Sequence, residues 1–222
     1  MKVFLEDVPV ATGTIFCIGR NYAEHAREMR AEVPEAPIVF LKPVTALCTD
    51  GQVWYPPQTQ ELHHEVELVV LLGRSGQDIP EQEALAYVAG YGVGIDFTAR
   101  DLQEKAKSKG HPWALAKGFD SFAPVSRFVR AERVPDPHAL RLQLWVNGEL
   151  RQSGYTGDML YSIPRLIAYL SSIFTLQAGD LLFTGTPAGV GPVRPGDELR
   201  AVLEGLAELR VQVGRRRPAV PL

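Results

Sequence analysis

The apolar runs of this chain are short and rich in Val, Ile and Leu, and turn-forming pairs such as Gly-Asp, Pro-Gly and Asn-Gly cut them off. Runs of that length between such breakers suit strands better than helices. Residues 140–146 alternate polar and apolar side chains, and Asn147-Gly148 then offers a hairpin turn into 149–152. Gly179-Asp180 leads into a strand over 181–184, and Pro195-Gly196-Asp197 into one over 198–203. Residues 66–72 and 91–95 read as strands too. Helical pattern is scarcer. Thr98 followed by Asp101 has the form of a capping box opening a helix through Lys107, which Gly110 can close. Ser162 with Pro164 starts a second helix over 165–172 with Leu166, Ile167 and Leu170 on one face, and 23–30 suit a short third. Mostly strands with a few helices predicts a β-rich α+β fold, not a doubly wound one.

No internal repeat or low-complexity linker divides the 222 residues, so one domain over 1–222 is the simplest partition. A chain of this length buries roughly 70% of the surface its unfolded form exposes and needs no staple. Cys17 and Cys48 follow no metal spacing and no disulfide framework, so they read as small buried hydrophobes in reduced surroundings. A formal net charge of -3 offers no basic face for nucleic acid. No apolar run reaches the roughly 18 residues of a membrane span, and the first residues lack a signal pattern. A cytoplasmic protein with no membrane partner is the expectation.

The segment His63-His64-Glu65-Val66-Glu67-Leu68 carries the most chemistry. Side chains alternate across a strand, so Glu65 and Glu67 project from one face, roughly 7 Å apart, while Val66 and Leu68 project from the other. Two acids entering an apolar run repel unless a cation lies between them; a solvated edge strand that carries two acids is the plain alternative. Asp96 ends a second apolar strand just before the helix, where a turn or cap role is the plain alternative. Three carboxylates would suit Mg²⁺ or Mn²⁺. Zinc would recruit His63 or His64, and since neighbouring strand residues face opposite ways, at most one could join.

Four further features are candidates. Arg100 and Gln103 are three apart on the helix and share a face, suited to gripping a carboxylate or else simply exposed. Lys42 and Lys117 each interrupt an apolar stretch, so each has a buried partner or snorkels to the surface. His25 and Glu28 share a face if 23–30 is helical, which makes either a general base with its orienting carboxylate or an ordinary surface pair. The loop from Thr184 to Pro192 lacks the Lys-Ser/Thr ending of a phosphate loop but lets backbone approach a small ligand. Arg215, Arg216 and Arg217 read as a frayed end.

In order along the chain stand Gly-Arg-Asn-Tyr with His25 and Glu28, Phe-Leu-Lys-Pro, His-His-Glu-Val-Glu-Leu, Ile-Asp-Phe-Thr-Ala-Arg-Asp, Leu-Ala-Lys-Gly, Val-Asn-Gly-Glu-Leu-Arg-Gln and Thr-Gly-Thr-Pro-Ala-Gly-Val-Gly. Together, from about 15 to 213, they resemble the fumarylacetoacetate hydrolase family, above all its short acylpyruvase branch. The resemblance implies a twisted mixed β-roll of the family's C-terminal-domain type, a homodimer, and Mg²⁺ or Mn²⁺ bound by Glu65, Glu67 and Asp96. It implies catalytic roles for His25, Glu28 and Lys117, the first two on a lid, and substrate contacts from Arg20, Lys42, Arg100, Gln103 and Thr186. Residues 214–222 fall beyond it and are expected to form a flexible tail.

The activity so implied is hydrolysis of acylpyruvates, 2,4-diketo acids such as acetylpyruvate or fumarylpyruvate, to pyruvate and a carboxylic acid. Oxaloacetate decarboxylation is a companion, since both leave pyruvate enolate. The rival is isomerisation of 2-hydroxyhepta-2,4-diene-1,7-dioate or decarboxylation of its precursor, 5-oxopent-3-ene-1,2,5-tricarboxylate. A metal-stabilised binding module is a remoter one, which has no use for a base.

Overall fold

All seven residues of Val66–Leu72 are buried, Glu67 among them. A strand without a solvated side needs cover on both faces and a partner on both edges. The computed structural model, which describes residues 1–28 and 32–215, supplies both. Val66–Leu72 lies third in a six-stranded sheet whose spatial order is Val129–Arg130, Val88–Ile95, Val66–Leu72, Leu181–Phe183, Ile15–Gly19 and Ile38–Lys42. Its neighbours pair antiparallel, whereas Leu181–Phe183 and Ile15–Gly19 run parallel. A five-stranded sheet in the order Glu149–Tyr155, Arg141–Val146, Glu198–Leu203, Ala207–Arg215 and Gln52–Tyr55 packs across Val66–Leu72 and Val88–Ile95. Within the six-stranded sheet the chain is tightly packed at Gly94, where an added Cβ would lie 2.7 Å from Val69 Cγ2 on the neighbouring strand. The result is the strand-rich α+β fold that the turn pattern predicted, in the roll that the resemblance implied.

Among the described residues four short α-helices complete it: α1 (Ala23–Glu28), α2 (Arg100–Ser108), α3 (Ala114–Lys117) and α4 (Ile163–Ser171). Ser162 caps α4, its hydroxyl accepting from the Arg165 amide, and Leu166, Ile167 and Leu170 are buried as predicted. The Asn147-Gly148 turn forms, though its second strand runs on to Tyr155. Both cysteines are free and buried.

Three expectations are corrected. The capping box at Thr98 is absent. Thr98 pairs with His63 in a short ladder instead, and Asp101 reaches back to accept from the Thr59 hydroxyl and, at 2.9 Å, the Gln60 amide. The closing Gly110 does adopt the left-handed turn, with φ +67. Gly214 and Arg215 are not tail but the end of Ala207–Arg215, paired with Trp54 and Tyr55. The rest of the supposed tail, including Arg216 and Arg217, lies outside the described residues, as do the last two residues of the helix expected over 23–30.

Candidate active site

Glu65 occupies the one-residue break between Leu62–His64 and Val66–Leu72. Gln152 sets the break: its Oε1 accepts from the Val66 amide at 3.0 Å and from His64 Nδ1–H at 2.9 Å. Its amide group donates to Thr186 Oγ1 at 2.8 Å and to Pro187 O at 2.9 Å. Asp96 follows the Val88–Ile95 strand, and its own amide donates to Glu65 O at 2.8 Å. Carboxylate oxygens of Glu65, Glu67 and Asp96 lie within 4.8 Å of one another, with the residues 6%, 1% and 0% exposed. The solvated-edge reading therefore fails. Among the described residues no His or Cys belongs to such a cluster, so the zinc option has no ligand set.

Cations hold two of the three acids. Lys117 Nζ lies 2.9 Å from Glu65 Oε2 and 2.6 Å from Asp96 Oδ2. Arg100 pairs with Glu65 Oε1, and its Nη1 donates to Gln103 Oε1 at 2.6 Å, so the two helix residues share a face but not a surface one. Lys42 Nζ stands 2.6 Å from Asp96 Oδ1 and donates to the carbonyls of Phe97, Lys117 and Phe122 at 3.0, 2.6 and 2.9 Å. Lys42 thus fixes Asp96 and the Lys117 backbone from behind, a correction to its expected contact with substrate. Its partners come from three separate chain segments, which no local pattern announces.

Glu67 is different. Among the described residues its one partner is the Gly185 amide, 2.7 Å from Oε2. Gly185 holds φ +99, and an added Cβ there would meet Asn21 Cβ at 2.6 Å, so glycine is required to aim that amide. Burial, then the charges of Asp96 and Glu65, push the Glu67 carboxyl well above its usual range. Burial would raise Glu65 too, but Lys117 and Arg100 bring it well below. Three oxygen donors with one carboxylate short of positive charge fit a hard divalent cation.

Helix α1 covers this centre. His25 is buried, its Nδ1–H donating to Glu28 Oε2 at 3.3 Å, and the Gly189 amide donates to Glu28 Oε1 at 3.1 Å. Burial lowers the His25 pKa, which keeps the imidazole neutral near pH 7. With Nδ1 engaged, Nε2 is left to accept a proton. His25, Arg20, Arg100, Gln103, Lys117 and Thr186 border one cleft of about 30 Å³, on the order of a water or two. A groove of about 810 Å³ beside Cys48 and Trp54 is larger but holds none of these groups. Sequence reading missed Lys107, Trp113 and Phe40 in the cleft wall, and Gln152 behind it. Lys107 had a signal, since it extends the Arg100–Gln103 stripe by one more turn; Gln152 had only its place at the end of the Val-Asn-Gly-Glu-Leu-Arg-Gln motif.

Residues 14–214 match the family described as fumarylacetoacetate (FAA) hydrolase C-terminal. The chain belongs to the fumarylacetoacetate hydrolase family. It is 55% identical over 202 residues to the mouse (Mus musculus) oxaloacetate tautomerase FAHD1, mitochondrial, covering 90% of this chain and 91% of the relative. The fold matches fumarylpyruvate hydrolase from Pseudomonas aeruginosa in complex with Mn²⁺ and pyruvate, with TM-score 0.94 and 38% identity, covering 97% of this chain and 96% of that one. It also matches 5-carboxymethyl-2-hydroxymuconate delta-isomerase from Mycobacterium smegmatis, with TM-score 0.82 and 37% identity over 95% and 82% of the two chains. Hydrolase, tautomerase and isomerase thus share one family of enzymes and one roll.

Proposed function

We propose that this fumarylacetoacetate hydrolase family member is a Mg²⁺- or Mn²⁺-dependent enzyme of small 2-keto acids that cleaves acylpyruvates between C3 and C4. The observation that carries the reading is His25, oriented by Glu28, in one narrow cleft with Glu65 and Glu67 of the Glu65–Glu67–Asp96 trio. A cation held by those three acids would supply Lewis-acid polarisation of substrate oxygens. Arg100 and Gln103 grip the substrate carboxylate, with Thr186 donating from the opposite loop. His25 Nε2 takes a proton from water as its oxygen adds to the C4 carbonyl, and Glu28 stabilises the imidazolium that forms. The C3–C4 electron pair then passes into the keto-acid half as pyruvate enolate, its negative charge faced by Lys117. Protonation at C3 completes pyruvate, and the C4 side leaves as a carboxylic acid. Burial keeps Glu65, Glu67 and Lys117 largely from bulk water, which strengthens each of these charges.

A second reading, enolisation of oxaloacetate by the same His25, is favoured by the 55% identity to the mouse tautomerase. It needs only proton transfer at C3 and an enolate stabilised in the same place; decarboxylation of oxaloacetate in its keto form would instead break C3–C4, releasing CO2 and leaving pyruvate enolate there. A homodimer in the cytoplasm completes the proposal. The mouse relative's name places that protein in mitochondria, and among the described residues no helix is long and apolar enough to cross a membrane.

The test is a panel of acetylpyruvate, fumarylpyruvate, oxaloacetate and the dienedioate on metal-stripped protein before and after adding Mn²⁺ or Mg²⁺. Metal-dependent pyruvate release from an acylpyruvate supports hydrolysis. Enol–keto conversion of oxaloacetate without pyruvate release from acylpyruvates favours the second reading. Full activity after metal stripping refutes both.

A further inference from the structure

Four cations border the cleft, and they divide into two kinds. Arg100 and Lys117 are held by Glu65 and Asp96. Arg20 and Lys107 are half-buried, yet among the described residues neither side chain has a carboxylate in ion-pair range or a hydrogen-bond acceptor. Lys107 is not loose. Its ammonium rests over the Trp113 ring, 5.3 Å from the centroid, and that ring packs on Phe40 with centroids 5.6 Å apart. Arg20 stands in the left-handed backbone region, φ +57, a strained conformation for a long side chain that proteins retain mostly at binding sites. Burial, then the charges of Arg100 and Arg20, lowers the Lys107 pKa to about 8. Two cations turned toward one cleft, repelling each other with no anion between them, are a disfavoured arrangement that a bound anion would relieve.

We propose that Lys107 and Arg20 form a second anion subsite at the cleft mouth, which holds the far carboxylate of a dicarboxylic 2-keto acid while the carboxylate trio marks the keto-acid end. This rests on the keto-acid reading above and names its substrate class. Arg100 and Lys117 are paired with Glu65 and Asp96, whereas Arg20 and Lys107 have no acid partner among the described residues, so the unpaired positive charge of the cleft lies on those two. A substrate with one carboxylate leaves that pair unsatisfied. One with two carboxylates answers both ends, and orientation in the cleft then follows from charge alone.

The test compares fumarylpyruvate with acetylpyruvate, which share the 2,4-diketo acid end and differ in carrying a carboxylate or a methyl at the other. Lys107→Met raises KM for fumarylpyruvate roughly 10- to 100-fold, the worth of one hydrogen bond to a charged group. It leaves kcat nearly intact, and Lys107→Arg restores KM. Acetylpyruvate kinetics change by no more than about the twofold typical of a surface substitution. Equal losses on both substrates would mean that Lys107 only steers anions or supports the wall, and would overturn the subsite. If the wild-type protein turns over neither compound, the keto-acid reading fails and calorimetry on Mn²⁺-loaded protein decides the subsite separately. Succinate binding tighter than butyrate in wild type but not in Lys107→Met supports it; no such preference overturns it.

Discussion

Replacing Glu67 by Gln separates the charge of the third carboxylate from its shape. Glutamine still offers an oxygen to the Gly185 amide, which lies 2.7 Å from Glu67 Oε2. What disappears is a buried negative charge beside Asp96 and Glu65, both already matched by cations. Since burial and those two neighbours raise the Glu67 carboxyl, folding takes up a proton there. Stability is then fully present below the ordinary carboxyl value of 4.5 and falls as pH rises toward the raised one. At pH 7.5 the penalty cannot exceed the cost of protonating an ordinary carboxyl, about 4 kcal/mol at 1.36 kcal/mol per pH unit. Glu67→Gln should therefore stabilise the metal-free protein by roughly 1–4 kcal/mol, each kcal/mol raising Tm by about 2–4 °C for a chain of this size. With Mn²⁺ present the sign reverses. Wild type gains about 2.7 kcal/mol when the ion stands at 100 times its Kd, while the variant, lacking a ligand charge, gains far less. Thermal melts in EDTA and in Mn²⁺, from pH 5 to 8, read both effects. A variant that melts lower than wild type in EDTA at pH 7.5, or that Mn²⁺ stabilises as strongly, would refute the reasoning.

Lys42→Met leaves Asp96 Oδ1 and three carbonyls facing an apolar group. Breaking such a buried pair costs roughly 3–5 kcal/mol, to be read as a lower urea midpoint. His25→Ala should cut acylpyruvate hydrolysis by at least ~10²-fold with an unchanged melt in EDTA; an unaltered rate would return the His25–Glu28 contact to a structural role. Gly185→Ala meets both the φ of +99 and the Asn21 clash, so Mn²⁺ affinity and urea stability should fall together. Lys107, with a pKa of about 8 in the free protein set by burial, Arg100 and Arg20 against Glu65, loses charge as pH rises through that value. KM for fumarylpyruvate should climb above pH 8 in wild type and stay flat there in Lys107→Met.

The strands Val66–Leu72 and Glu198–Leu203 were legible to the residue, because turn chemistry and side-chain period are local. The acid trio was legible because two members sit two apart where one strand begins, Glu65 just before Val66–Leu72 and Glu67 within it, and the third closes a neighbouring strand. What escaped depends on contacts distant in sequence. Asp101 was assigned to a local cap, yet it satisfies Thr59 and Gln60, about forty residues back. The carbonyl partners of Lys42 lie 55 to 80 residues away, so its neighbours in sequence do not announce them. Lys107 is legible in principle, as the next turn of the Arg100–Gln103 stripe on α2.

The parallel pairing of Ile15–Gly19 with Leu181–Phe183 joins segments more than 160 residues apart. A ribosome releases the Glu65, Glu67 and Asp96 segment long before Leu181 exists, and parallel pairing of such distant segments is slow because the loop must close before any contact rewards it. During that interval the apolar Val66–Leu72 edge, destined for Leu181–Phe183, stands open and invites a stray strand from another chain. Slow translation after residue 100 should therefore lower the yield of soluble protein more than slow translation after residue 190.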